Sequence, residues 1–141
     1  MDPITAIGLA SSLITFVDFA NKIVTGTYEV CNSTAGSTTE NAHIDTVIGD
    51  LKEVATDLET DVPGKSKHER ALKELASKCD KVASDLLQIL NRIKSDGSHS
   101  TWKSLKATLI SMRKQKEITG LEKRLNDYRS QLLTRLTLML E

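Results

Sequence analysis

The residues able to do chemistry are few and scattered. His43, His68 and His99 lie in three different segments with no paired ligand spacing. Cys31 and Cys79 are far apart, and neither has a metal-ligating neighbour. No HExxH, CxxC, GxSxG or phosphate-cradling glycine loop occurs, so zinc hydrolysis, dithiol exchange, acyl transfer and nucleotide hydrolysis all lack their groups. His43 and His68 fall in the first turns of polar helix starts, where solvent exposure is the ordinary explanation. Acidic side chains between residues 37 and 62 read as a solvated helix face rather than an acid–base pair. The inventory predicts no catalytic residue, no metal and no cofactor: a binding module rather than an enzyme.

With catalysis set aside, two segments stand out. Between Ile4 and Val24 most positions are apolar, and at 100° per residue they cover far more than the stripe a surface helix needs. Gly8 within this run costs about 1 kcal/mol relative to Ala, which suggests a site where another backbone comes close. Gly8 and Ser12 have the small-xxx-small spacing that permits close helix contact. Two readings stay open here. The run is the central helix of a bundle, or it is a helix held in the core and later released into a lipid interface or onto copies of itself. The residues that would enter a membrane are Ile4, Ile7, Leu9, Leu13, Ile14, Phe16 and Val17.

The second segment is basic. Residues 97–116 hold five basic and no acidic residues, whereas residues 37–62 hold seven acidic residues and one Lys. On a helical wheel Lys103, Lys106, Arg113 and Lys114 share roughly a 100° arc beside Trp102. Anionic headgroups or an acidic partner suit that arc; a solvated face facing the acidic segment suits it as well. Lys plus Arg equals Asp plus Glu over the 141 residues, and this balance argues against a dedicated nucleic-acid binder.

Positioning these features requires helices. Pro3 is placed for a first helical position behind Asp2 as N-cap, and the helix is expected to reach about Asn32 with a bend near Thr25-Gly26. Ser37-Thr-Thr-Glu40 reads as a capping box opening a second helix that Val62-Pro63-Gly64 ends. Ser66-Lys-His-Glu69 is a second capping box, followed by Leu72, Leu75, Cys79, Val82, Leu86 and Ile93 in a 3-4 alternation. Trp102, Leu105, Leu109 and Met112 mark a short fourth helix. Ile118, Leu121, Leu125, Tyr128, Leu132, Leu136 and Met139 mark a fifth. The prediction is an all-α antiparallel bundle of four to five helices with a long apolar N-terminal helix, one domain over residues 1–141.

Two separated thiols and the lack of a signal-peptide pattern read as reduced and cytoplasmic. Uncharged residues 3–17 fall short of the ~20 needed to span a bilayer, and Asp18 interrupts them. The helical pattern still running at Glu141 suggests the N-terminal part of a longer chain.

The opening Met-Asp-Pro-Ile-Thr-Ala-Ile-Gly-Leu-Ala-Ser-Ser-Leu-Ile-Thr-Phe-Val-Asp-Phe-Ala resembles the N-terminal domains of fungal STAND (NOD-like) receptors, the HeLo-like and SesA-type group. Asp50-Leu51, Lys78-Cys79, Leu86-Leu87, Trp102-Lys103-Ser104-Leu105 and Glu122-Lys123-Arg124-Leu125 extend the likeness over nearly the whole chain. The resemblance implies an effector module ahead of a NACHT or related NTPase, similar in architecture to the executioner domain of the mixed-lineage-kinase-like pseudokinase and to plant resistance-protein coiled coils. It further implies self-association, contact with a downstream NTPase region and with anionic lipids, and relocation to the plasma membrane for cell killing. Carried over, that role falls on Ile4 through Val17. The alternative is a helical oligomerisation or adaptor domain that recruits a protein partner without membrane activity.

Overall fold

A glycine decides where the first helix stops. In the structure, a computed structural model that describes residues 3–28, 31–32, 37–38, 44–56, 58, 66–95 and 101–140, α1 runs Pro3–Thr25. Gly26 then adopts φ +75°. Its N–H donates to the Ile23 carbonyl at 3.0 Å, and the Thr27 N–H donates to the Lys22 carbonyl at 2.8 Å. This paired closure satisfies two carbonyls that the helix end would leave open. The helix therefore ends at Gly26 instead of bending there and continuing to Asn32.

Beyond it, β1 (Cys31–Asn32) pairs antiparallel with β2 (Ser37–Thr38), Asn32 opposite Ser37. Ser37 and Thr38 of the expected capping box are thus extended backbone, Glu40 lies outside the described residues, and α2 spans Ile44–Thr56. Val62-Pro63-Gly64 lies outside the described residues.

The second capping box holds. α3 spans Lys67–Ser95, and the Glu69 N–H donates to Ser66 Oγ at 3.1 Å. α4 spans Trp102–Ser111 with Thr101 as N-cap, accepting from the Ser104 N–H. α5 spans Lys116–Met139.

Cross-helix pairs fix the directions. Arg92–Glu117 at 2.8 Å, Asp85–Arg124 at 2.9 Å and His68–Arg135 at 3.1 Å form a ladder that makes α3 and α5 antiparallel. Lys94 pairs with Asp45, so α2 runs against α3. Asp18 meets Arg129 at 3.6 Å, and Gly26 lies under Ile110, just ahead of α5, so α1 runs against α5. The ion pairs among these are partly exposed, and such pairs contribute little energy. They report register. The energy lies in the core, where Leu13, Phe16, Leu51, Leu72, Leu86, Leu90, Leu105 and Leu125 are fully buried. The expected all-α bundle with its apolar N-terminal helix is what the chain forms, and α1 packs against all four other helices.

Two glycines give opposite expectations. A Cβ on Gly26 would sit 2.9 Å from Ile110 Cγ1 and 3.3 Å from Lys106 Cγ, on backbone that costs an L-residue about 1–2 kcal/mol. Gly26→Ala is expected to lower unfolding stability by roughly 2 kcal/mol. Gly8 is exposed and a Cβ there meets nothing within 4 Å, so Gly8→Ala should raise stability by about 0.5–1 kcal/mol. Urea midpoints of both variants check this. The bundle at rest thus makes no use of the close approach that Gly8 allows.

Candidate functional site

The seven α1 positions singled out for membrane entry are mostly hidden. Leu9, Leu13, Phe16 and Val17 are buried, and Ile7 and Ile14 are half-buried. The side chain of Ile4 lies outside the described residues. What α1 shows to water is a narrow seam: Gly8, Ser11, Thr15 and Lys22 exposed, with Ser12 and Asp18 partly exposed beside them. Ser12 Oγ donates to the Gly8 carbonyl at 3.2 Å, and Thr15 Oγ1 donates to the Ser11 carbonyl at 3.0 Å. Hydroxyls bonded to the preceding turn need no outside partner, which is also how Ser and Thr are accommodated in apolar surroundings. Ala6–Thr25, 20 residues, is long and apolar enough to cross a bilayer by length and composition. The count tolerates Asp18, which the shorter uncharged run did not. Core helices of water-soluble bundles share that composition.

The far end of α1 is held by aromatic residues. Trp102 Nε1–H donates to the Tyr28 carbonyl at 2.8 Å, and Tyr28 Oη–H donates to Asp50 at 2.9 Å. Phe19, Tyr28 and Trp102 form a chain of rings, with centroids 4.7 Å apart and then 5.9 Å apart in an edge-on pair. Trp102 is 1% exposed. Its place beside the basic arc in sequence suggested a headgroup contact, and the fold spends it on the core instead.

The basic arc is only partly free to meet a ligand. Lys103 and Lys114 are exposed, Lys106 lays its stem over Gly26, and Arg113 Nε pairs with Glu122 at 3.3 Å. Ile110, half exposed, sits on the same flank of α4 as Lys103 and Lys106. Sequence reasoning missed it, although its position off the Trp102–Leu105–Leu109 face was the available sign. The arc offers an apolar contact ringed by positive charge, suited to an acidic surface.

The reactive groups stay inert. His68 is half-buried, with Nδ1 accepting from Arg135, so it is a strut between α3 and α5 rather than a surface residue. His43 and His99 lie outside the described residues. Among the described residues no three His, Cys, Asp or Glu side chains gather as a metal site. Burial pushes the Cys79 thiol up to about 12 from an ordinary value of 9.0. In a Cys31→Ser chain, iodoacetamide at pH 8 should therefore modify Cys79 only as fast as the whole domain unfolds; the free-peptide rate would contradict this burial. Since the folded value is the higher one, the contribution of the protonated thiol to stability is complete below pH 9 and lost as pH rises toward 12.

A family model described as SesA, the N-terminal domain on NACHT NTPases and P-loop NTPases, matches residues 10–132. No curated protein and no solved structure matches the chain.

Proposed function

Since the chain belongs to the SesA family of N-terminal domains on NACHT and P-loop NTPases, we propose that it is the effector domain of such a receptor and that clustering delivers α1 to a membrane. The observation that carries this is the Ala6–Thr25 helix, bilayer-long, its large apolar side chains turned into the bundle centre, with a polar seam on which the Ser12 and Thr15 hydroxyls are bonded internally. Magnitudes explain why one molecule stays shut. Withdrawing Leu9, Leu13, Phe16, Val17, Ile23 and Val24 forfeits about 1.5–3 kcal/mol each, on the order of 10 kcal/mol together, comparable to the stability of a whole domain. A bilayer offsets that loss by taking up the same side chains, and clustering raises the effective concentration of neighbours. Cytoplasmic at rest, the domain relocates to the plasma membrane and kills the cell.

A second reading keeps the bundle closed. The complete burial of Leu13, Phe16 and Ile23 favours an adaptor that recruits an acidic partner through Ile110, Lys103 and Lys114. Dye leakage from anionic liposomes separates the two: domains fused to a tetramerising scaffold leak dye on the first reading and leave liposomes intact on the second.

A further inference from the structure

Large apolar side chains exposed at the end of α5 are Leu133 at 50%, Leu138 at 45% and Leu140 at 71%. All three lie past residue 132, where the family match stops. With 100° per residue, Leu133, Leu136 and Leu140 fall within about 60° of one another. They form a stripe: Leu133 and Leu140 are turned away from the core line of Leu121, Leu125, Tyr128 and Leu132, and Leu136, half-buried against the core, forms its inner edge. Their 3-4 spacing is that of a helix–helix seam. The antiparallel register set by Asp18 and Arg129 runs this stripe alongside the first turns of α1.

We propose that the stripe is the seat of the NTPase region to which domains of this family are joined, occupied by a helix of that region packed along Leu133, Leu136 and Leu140. The inference rests on family membership and not on membrane entry. Position argues for this occupant: the stripe begins where the shared domain ends, on the side from which the NTPase region continues. Area argues the same way. Three partly exposed leucines offer roughly a few hundred Å², well below the ~800 Å² per partner of a stable free complex. A segment joined to α5 by a short tether meets the stripe at an effective concentration in the millimolar range and needs no more. A second copy in solution has no such help.

Variants with one accessible cysteine, Leu133→Cys, Leu140→Cys and Leu138→Cys, all in a Cys31→Ser background with Cys79 buried, test this by maleimide labelling. Leu138 points away from the stripe and serves as control. The rates are compared between the 141-residue chain and the chain carrying its NTPase region. At positions 133 and 140 labelling should slow at least tenfold in the longer chain, with position 138 unchanged within twofold. Equal rates in the two chains at 133 and 140 would overturn the proposal. So would protection of those positions in the shorter chain that grows with concentration and accompanies a dimer in light scattering, because the occupant would then be a second copy. Liposome leakage plays no part in either outcome, so docking and membrane entry stand or fall separately.

Discussion

A chain carrying Ser11→Asp and Thr15→Asp is expected to fold as the parent does, with clusters that fail to release dye from anionic liposomes. Both positions are exposed in the bundle, and the Thr15 hydroxyl bonds to its own helix. Asp has a helix propensity close to that of Ser and Thr, so the resting domain should change by less than about 1 kcal/mol. In a bilayer the same two carboxylates are costly. Thr15 lies near the middle of Ala6–Thr25, where Asp costs about 2.5–3.5 kcal/mol, with a smaller charge on Ser11 nearer the end. A sum on the order of 5 kcal/mol reduces insertion more than a thousandfold. Charging Leu9 or Leu13 would not discriminate, because both are buried and the bundle itself would fail. The comparison needs circular dichroism for the fold and leakage for the activity. If the folded double variant leaks dye as fast as the parent, α1 is not the segment that enters.

The largest effect on stability is expected at Trp102. Truncation to Ala removes a fully buried indole, at about 3–5 kcal/mol, and leaves the Tyr28 carbonyl without its donor. Trp102→Phe keeps most of the ring volume and loses the hydrogen bond, at about 1–2 kcal/mol. Denaturant midpoints followed by circular dichroism measure both, since this is the single tryptophan and its fluorescence goes with it. A loss under 1 kcal/mol in the Ala variant would mean that the clamp on α1 is loose. In the parent chain the same burial predicts blue-shifted emission that moves red on unfolding.

Much of this fold could be read from the chain because its core positions repeat. Leu72, Leu75, Cys79, Val82 and Leu86 in α3, and Ile118 through Leu132 in α5, each keep a 3-4 spacing that only a helix turns into one face. The central place of α1 followed from an apolar surface too wide for one neighbour. What failed was local signal without burial behind it. Ser37 has the spacing of a cap to Glu40, yet Ser37 and Thr38 pair as a strand with Cys31 and Asn32. Thr25-Gly26 read as a bend because glycine's left-handed backbone is a choice made by the turn that follows. Trp102 was legible on the apolar face of its helix, but its hydrogen bond was not, because the acceptor, the Tyr28 carbonyl, is 74 positions away. Ile110 and Leu133 were overlooked since neither belongs to its helix's inward face, and exposure is set by neighbours in space.

The contact of α1 with every other helix bears on how the domain would keep time. A terminal helix on one flank can fray alone and offers a graded, leaky exit. One that is the common wall of four others opens only when the whole unit gives way, so its amide hydrogens should exchange at the rate of the slowest in the domain. Such a part has a threshold and almost no background. On the proposed reading, an isolated receptor carrying it would stay silent through ordinary thermal motion, and only a gathering of several would shift the balance.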